Sequence, residues 1–375
     1  MTAPSLTQTD PDRPVSPSGL KPSFLTGALW AGVVSLVALP VGFGNTEVAT
    51  AYAPADWYAH EGLYGYLAAI ITGFLLGAPG QRQRLPGHLL VVLMLAWLAG
   101  RLAILGSATV SAVVAGAIDS VFLLLTAALA VRAALGERDR TTLSQAGVIV
   151  ALAAGNVLFH IGLPEAGKRI AIAAVVLLVT LVSGRPAARG GETPAADSFD
   201  YVDIATVSLS ALALLAWIML PGLMVTGVLM LVAGLAQAVR LVGWIRSGAG
   251  QSSLTLLQQI AYGLVPLGFL ALGGSAFGQE PSGPANVRAW LVGAVGVLSL
   301  AMVQRADPDQ AERSASVRMT AYAIYGAVAA AIGLRLFTGW IPALAPIAGA
   351  AWVVAFVVFV LGYLPLLARS RVTAP

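Results

Sequence analysis

Residues 86–106 read PGHLLVVLMLAWLAGRLAILG, an apolar stretch of membrane-spanning length that contains one charged residue, Arg101. A helix needs about 20 apolar residues to cross a bilayer core that is about 30 Å thick. The stretch is continuously apolar and does not alternate with polar residues, so it does not resemble a strand of a membrane barrel. It therefore predicts a transmembrane helix and assigns the chain to the membrane proteins.

The same pattern recurs along the rest of the chain, separated by short polar gaps. It predicts an all-α fold, a polytopic transmembrane helical bundle of about 12 transmembrane helices. Pro221 leaves one alternative open, because a proline can kink a single long helix instead of separating two spans. The predicted spans are 24–44, 62–80, 86–106, 109–135, 143–163, 167–185, 202–220, 222–243, 254–277, 287–304, 317–338 and 341–367.

The composition excludes several classes of protein. Hydrophobic residues make up 58% of the chain and charged residues 10%, whereas a soluble domain has about 25% charged residues. The basic residues lie in short loops and do not form a cluster on a soluble domain, so nucleic acid is not an expected partner. The chain has no cysteine, which excludes disulfides, thiolate metal sites and thiol nucleophiles.

The distribution of lysine and arginine predicts the orientation of the bundle. Sixteen of the 21 basic residues fall in loops on one side, four fall on the other, and Arg101 lies inside a span. Positive loops face the cytoplasm, so both termini are predicted to be cytoplasmic. The arginine-rich, alanine-rich and glycine-rich composition is typical of a GC-rich bacterial genome. We therefore expect a multi-pass protein of the bacterial cytoplasmic (inner) membrane, with the lipid bilayer as its partner.

The domain organisation follows from the same reading. Residues 1–20 are rich in proline, serine and threonine, and predict a disordered cytoplasmic tail rather than a signal peptide. Residues 21–370 form the transmembrane bundle, and residues 371–375 form a short cytoplasmic tail. The longest loop between spans covers residues 185–201 and separates six helices from six, but it does not indicate a domain boundary.

Two charged residues within spans need an explanation, because each ionisable group costs about 2.5–3.5 kcal/mol at the centre of a membrane helix. Arg101 lies towards the outer end of the third span, and Asp119 lies in the fourth. We predict that they form a buried pair or meet at one polar site. Two interpretations remain open: an ion pair that joins neighbouring helices, or charges that line a cofactor or ion site.

The histidines supply a second group of candidates. His60 opens the second span and His160 closes the fifth, at a similar depth near the predicted outer face, whereas His88 lies at the cytoplasmic start of the third. His60 shares a helix face with Tyr64, as Asn156 does with His160, because residues at i and i+4 are neighbours. One histidine from each of two helices can ligate haem iron or copper. The alternative is a set of interfacial histidines without a ligand.

Signatures of soluble enzymes are absent from the sequence, which contains no phosphate-binding loop, H-E-x-x-H motif or G-x-S-x-G motif. We identify no catalytic acid–base pair, so the sequence leaves open whether the protein is an enzyme. The many glycines within the spans predict close contacts between helices, since small residues let backbones approach each other.

The stretch WYAHEGLYGYLAAIITGFLL at 57–76 resembles the NnrS family, bacterial membrane proteins that carry haem and copper and are linked to the nitric-oxide response. Trp57, His60, Glu61, Gly65 and the run Gly73–Leu76 match the family pattern. Further matches occur in the family's order along the whole chain. They are KPSFLTGALWAG at 21–32, WLAGRLA at 97–103, Asp119 with Phe122, Asn156 with Phe159 and His160, SGR at 183–185, and LGYLPLLARSR at 361–371.

The chain departs from the family at several histidines. Tyr58, Gln259, Arg288 and Gln310 stand at positions where the family has histidine, and residues 186–189 read Pro-Ala-Ala-Arg in place of Pro-Ala-Phe-Thr. Glutamine is a poor haem ligand and arginine stays protonated. The resemblance therefore implies a divergent member that binds at most one haem b or metal ion such as copper.

The candidate ligands of that haem or metal are His60 and His160, the two family histidines that remain. Three functions stay under consideration: an NnrS-like protein that handles nitric oxide or nitrosative stress, a transporter or channel-like protein, and a cofactor-free membrane scaffold. A transporter would use Arg101, Asp119 and Arg335 as a polar path. The supporting polar residues are Glu61, Tyr64, Arg101, Asp119, Asn156, Arg185 and Arg335.

Overall fold

The computed structural model describes residues 21–42, 50–76, 86–137, 140–183, 201–246, 253–278, 290, 315–336, 341 and 343–368. The elements in these ranges are helices, which confirms the predicted all-α class. The helices are α1 (Lys21–Gly42), α2 (Pro54–His60), a π-helix (Glu61–Leu67), α3 (Ala68–Leu76), α4 (Gly87–Leu105), α5 (Ser107–Val110), α6 (Ala112–Glu137), α7 (Arg140–His160), α8 (Pro164–Val182), α9 (Tyr201–Met219), α10 (Met224–Arg246), α11 (Ser253–Ser275), α12 (Ala315–Leu336) and α13 (Leu344–Ala368).

Several of these helices can cross a membrane. Within the described residues, five are long and apolar enough: Gly87–Leu105, Ala112–Gly136, Thr142–His160, Tyr201–Met219 and Met224–Arg246. Shorter apolar helices cover Thr26–Val37, Tyr322–Ala331 and Pro346–Phe359. The structure is thus that of a helical membrane protein, whereas the total of twelve spans and the cytoplasmic termini stay predictions. The predicted tails, the loop up to residue 200 and the tenth span apart from Trp290 lie outside the described residues.

Two details of the predicted spans are decided by prolines. Pro221 lies in the turn between α9 and α10, so the seventh and eighth spans are separate helices. The second helical segment begins at Pro54, eight residues earlier than the predicted start at residue 62. Proline is favourable in the first turn of a helix, where its fixed φ fits and its missing N–H has no partner to lose. This earlier start brings His60 and Glu61 into a continuous helical segment.

Most helices pack against their neighbours in sequence. α6 lies between α4 and α7, α7 packs on α8, and the series continues through α9, α10 and α11. The last helix, α13, packs against both α12 and the first helix, α1. The interior is formed by α3 and α8, because residues 68–75 and 171–176 are buried on every face. A helix that is apolar all round belongs in the interior of a bundle.

A polar cluster joins α8, α9, α10 and α11 in the second half of the chain. The fully buried Gln237 donates from Nε2 to the hydroxyl oxygens of Thr180 and Ser210, each at 2.9 Å. Its carbonyl oxygen accepts a hydrogen bond from the hydroxyl of Tyr262. Four helices therefore share one buried amide, whose donors and acceptor all have partners.

Arg240 extends this cluster by one helical turn along α10. Its Nε donates to Asp203 Oδ1 at 2.6 Å, and its Nη atoms donate to the carbonyl oxygens of Thr180 at 2.6 Å and Ser183 at 2.7 Å. The two carbonyls belong to the C-terminal end of α8, where helix carbonyls lack partners within the helix. The arginine thus caps α8 and connects it to α9.

Candidate functional site

The first element of the site is the junction between α2 and the π-helix. His60 is the last residue of α2 and Glu61 is the first residue of the π-helix, and both are fully buried. A π-helix is rare and is found frequently at functional sites. Here the wider turn carries two adjacent ionisable side chains into the interior of the bundle.

Arg101 on α4 connects the two carboxylates of the site. Its Nη1 lies 2.6 Å from Glu61 Oε2, and its Nη2 forms an ion pair with Asp119 Oδ1 on α6. The predicted contact between Arg101 and Asp119 is therefore present, and Glu61 completes a triad of charges. The side chains of all three are at most 2% exposed.

The second oxygen of Asp119 is the point on which the other polar groups converge. Oδ2 lies 3.1 Å from His60 Nε2 and 3.0 Å from His160 Nε2, and it accepts a hydrogen bond from Asn156 Nδ2 at 2.8 Å. His160 is the last residue of α7, and Asn156 lies one turn earlier on the same helix. One carboxylate oxygen thus joins the second, fourth and fifth predicted spans.

Three further side chains hold this cluster in place. The indole N–H of Trp30 donates to Glu61 Oε2 at 2.5 Å, and the hydroxyl of Ser120 donates to Asn156 Oδ1 at 2.9 Å. The hydroxyl of Tyr52 lies 2.9 Å from His160 Nδ1. Because each of these groups contacts a side chain that reaches Asp119 or Arg101, they fix the orientation of the central residues.

Glycines allow the helices to approach closely around the cluster. A Cβ atom on Gly116 would lie 2.7 Å from His160 Cγ, and one on Gly100 would lie 2.7 Å from Asp119 Oδ1. A Cβ atom on Gly65 would lie 2.6 Å from an Nη atom of Arg101. These positions therefore require glycine because any larger residue would displace a polar side chain of the site.

The geometry fits a single metal ion. His60, Asp119 and His160 each offer one ligand atom, and these atoms lie within 4.8 Å of one another. Metal bonds of about 2.0–2.2 Å to nitrogen and oxygen, at angles near 90–110°, give separations of about 2.8–3.6 Å between neighbouring ligand atoms. The distances of 3.1 Å and 3.0 Å between the histidine nitrogens and Asp119 Oδ2 fall within that range.

The charges of the cluster also favour a cation. Glu61 and Asp119 contribute two negative charges, whereas Arg101 contributes one positive charge. His60 faces a carboxylate oxygen with each ring nitrogen, at 3.3 Å from Glu61 and 3.1 Å from Asp119. A neutral imidazole carries a single N–H, so one nitrogen would direct its lone pair at a carboxylate. One additional positive charge, either a proton or a metal ion, removes this repulsion.

A haem held between the two histidines does not fit this arrangement. Two axial imidazoles bind haem iron from opposite faces of the macrocycle, with the porphyrin between them. The rings of His60 and His160 have centroids 5.0 Å apart, and both direct Nε2 at the same oxygen of Asp119. Phe159 packs on the ring of His60 at 4.9 Å. The donor set of two imidazoles and one carboxylate suits a bare transition-metal ion.

Buried polar atoms without a protein partner surround the cluster. Among the described residues, these include Tyr64 Oη, Trp57 Nε1 and Arg101 Nε. The ring of Tyr64 packs against His60 with centroids 5.2 Å apart. Buried hydroxyl and N–H groups are normally hydrogen-bonded, so these atoms are exceptions within the described residues.

The structure brings together six of the residues selected from the sequence: His60, Glu61, Arg101, Asp119, Asn156 and His160. Tyr64 contacts His60 through its ring alone. Arg185 lies outside the described residues, and Arg335 lies on α12 with no description of its side chain. His88 is exposed at the start of α4, in agreement with an interfacial position.

Sequence reasoning missed Tyr52, Ser120 and Trp30. Trp30 is part of the family-like stretch KPSFLTGALWAG, so the resemblance contained a signal for it. Tyr52 precedes a proline-initiated helix in a short loop, and Ser120 follows Asp119 within an apolar span. Neither position has a pattern that distinguishes it from an ordinary loop or helix residue.

Comparison with known proteins supports the resemblance. The model of the NnrS family, described as NnrS protein, matches residues 14–371, which is nearly the whole chain. Comparisons with curated proteins and with solved structures found no match. Because the match covers all helices that contribute to the buried cluster, this chain belongs to the NnrS family.

Proposed function

We propose that this NnrS-family membrane protein binds a single transition-metal ion, with copper as the expected metal, through His60, Asp119 and His160. The supporting observation is the convergence of two imidazole nitrogens on one carboxylate oxygen within a cluster that is short of one positive charge. Imidazole and carboxylate ligands suit copper, and among divalent first-row metals copper binds such sites most tightly.

Three protein ligands leave coordination positions free for a small molecule. Sites with open positions are those at which a bound metal does chemistry, whereas structural sites are fully ligated by the protein. A copper ion would supply Lewis acidity and one-electron redox chemistry. Arg101 would hold the Asp119 carboxylate in position through Oδ1, while Asn156 would orient Oδ2 through its amide N–H.

Membership of the NnrS family also supports a proposal about the biological role of the protein. We infer a role in the handling of nitric oxide or nitrosative stress at the bacterial cytoplasmic membrane. The depth of His60 and His160 near the predicted outer face is consistent with a reaction partner that arrives from outside the cell or from the lipid phase. The proposal does not include a haem between the two histidines, for the geometric reason given above.

Purified protein tests the proposal directly. We expect one equivalent of copper per chain after reconstitution with Cu(II), with a Cu(II) electron paramagnetic resonance spectrum that contains nitrogen hyperfine structure. His60→Ala and His160→Ala should each remove tight binding. His88→Ala is the matched control, because it removes the exposed histidine of α4 and should leave the stoichiometry at one.

The proposal would be overturned by wild-type protein that folds but takes up no metal. It would also be overturned if His88→Ala weakened metal binding as much as His60→Ala does. A Soret band in the same preparation would indicate haem elsewhere in the molecule. In the absence of both metal and haem, the cluster would serve as a structural ion-pair network, and a cofactor-free scaffold or transporter would be the better description.

A further inference from the structure

We propose that Tyr52 is the positioning residue that lets His160 exchange its hydrogen bond to Asp119 for a bond to the metal ion, and that Tyr52 covers the side from which the ion enters. This inference rests on the proposed metal site and adds to it a residue that lies outside the ligand set.

Tyr52 lies beside both His160 and His60. Its hydroxyl oxygen lies 2.9 Å from His160 Nδ1 and 3.4 Å from the carbonyl oxygen of Ala112. Its ring lies parallel to the imidazole of His60, with an angle of 6° between the planes and centroids 6.2 Å apart. Tyr52 therefore contacts one ligand through a hydrogen bond and the other through its ring face.

The hydroxyl can support either tautomer of His160. Without an ion, His160 Nε2–H donates to Asp119, and Nδ1 accepts a hydrogen bond from the hydroxyl of Tyr52. When Nε2 binds a metal, the proton must be on Nδ1, which then donates to the Tyr52 oxygen. The Tyr52 hydroxyl can then turn to the carbonyl of Ala112. A hydroxyl is suited to this exchange because it both donates and accepts.

A tyrosine side chain has an ordinary pKa of about 10, so at neutral pH Tyr52 has the O–H group that both hydrogen-bonding arrangements require. Metal-bound histidines usually donate their other ring N–H to such an oxygen, which fixes the tautomer and the ring orientation.

The exposed fractions of the ligand side chains indicate the side from which an ion reaches them. The side chains of His60 and Asp119 are at most 1% exposed, whereas the side chain of His160 is 6% exposed. Tyr52 is half-buried, and the turn that follows His160 begins with Ile161, which is 65% exposed. Among the three candidate ligands, the least buried is therefore His160, at its contact with Tyr52. This end of α7 is extracytoplasmic in the predicted topology.

Besides the contacts of Tyr52 itself, the described part of this segment is bonded to the neighbouring helix α5. The backbone N–H of Ala51 donates to the hydroxyl of the fully buried Ser107 at 2.9 Å. α5 has only four residues and is followed by Ser111, whose φ of 120° is unusual for a residue other than glycine. This bond can be removed by one substitution that does not touch a candidate ligand.

The experiment compares Cu(II) affinity and release among variants of the full chain. Tyr52→Phe keeps the ring and removes the hydroxyl, so we expect copper to bind about 10–100-fold more weakly, the effect typical of a lost partner of a metal-bound histidine. Tyr52→Ala should also release copper to a chelator faster than Tyr52→Phe does, because the cover is gone. Tyr201→Phe is the matched control, since Tyr201 is 90% exposed at the start of α9 and should leave both quantities unchanged.

A second variant keeps the test decisive if Tyr52 variants fold poorly. Ser107→Ala removes the hydrogen bond from Ala51 without contact with a ligand, and should accelerate copper release while the paramagnetic resonance spectrum stays that of wild type. Wild-type affinity and release in both Tyr52→Phe and Ser107→Ala would overturn this inference, although copper binding itself would stand. A wild-type protein that binds no copper would instead reject the proposed function.

Discussion

At the scale of single residues, the site depends on glycines, which leave space for its polar side chains, as well as on those polar residues themselves. Gly116 faces the imidazole of His160, and Gly100 faces Asp119. The sequence predicted close helix contacts from its glycines, but it could not rank them. The distances from an added Cβ atom identify the few glycines whose replacement would reach the polar cluster.

We expect Gly116→Ala to weaken both folding and metal binding. The new methyl group would lie 2.7 Å from His160 Cγ, so the ring or helix α6 must move. Overpacking of this kind costs about 1–3 kcal/mol. Gly147→Ala on α7 is the control, because no atom lies within 4 Å of its added Cβ, and alanine is favoured over glycine in a helix by about 0.5–1 kcal/mol. Thermal unfolding and copper titration of both variants would measure the difference; equal effects would contradict the argument.

Arg101 and Asp119 should behave as one energetic unit. Removal of one partner of a buried ion pair costs about 3–5 kcal/mol, because the remaining charge is left without compensation. We therefore expect Arg101→Ala and Asp119→Ala each to lower the melting temperature strongly, and the double variant to be less harmful than the sum. The pair Asp56 and Lys168, which is partly exposed, is the control and should contribute about 0–1 kcal/mol. Additive losses for Arg101 and Asp119 would argue against a coupled network.

At the scale of elements, the π-helix Glu61–Leu67 is the feature that sequence periodicity did not predict. The i, i+4 rule placed His60 beside Tyr64, and their rings do make contact. The same rule gave no reason for Glu61 to be buried as well. The wider turn of the π-helix accommodates one additional residue, so both His60 and Glu61 face the interior. In an α-helix, one of these two side chains would be rotated away from it.

Deletion of Gly62 tests the importance of the wide turn. Loss of one residue lets the π-helix close to a regular α-helix, in which His60 and Glu61 can no longer both face the cluster. We expect the variant to insert into the membrane but to lose tight copper binding. Gly62→Ala is the control at the same position, because its added Cβ has no neighbour within 4 Å and the length is unchanged. Retention of copper binding by the deletion variant would show that the π-helix is dispensable.

At the scale of the whole molecule, two buried polar clusters occupy different sets of helices. The first joins the second to fifth predicted spans around Asp119, and the second joins α8 to α11 around Gln237 and Arg240. In the second cluster, the Gln237 amide is fully paired and Arg240 has carbonyl and carboxylate acceptors. We therefore interpret the second cluster as a structural tie, whereas the proposed metal site belongs to the first, in which two carboxylates face one arginine.

The predicted topology can be tested over the whole chain. The excess of basic residues on one side predicts that reporter fusions after residues 140, 190, 248 and 310 are cytoplasmic, and that a fusion near residue 50 is external. The outer location of His60, His160 and Tyr52 depends on this orientation. An external signal at 190 together with a cytoplasmic signal at 50 would reverse it, and with it the side from which the ion enters.

The sequence by itself determined the class of the protein and most of its helices, because the cost of unpaired backbone groups in lipid permits few structures for long apolar stretches. It also selected six residues that the structure brings together, since charges and family-like histidines within apolar spans are rare. Only the tertiary structure decided that His60, His160 and Asn156 meet on one oxygen of Asp119, and that Tyr52 contacts His160. These contacts join residues 37 to 108 positions apart. They depend on how α2, α6, α7 and the loop that carries Tyr52 pack, which the local periodicity of a sequence does not specify.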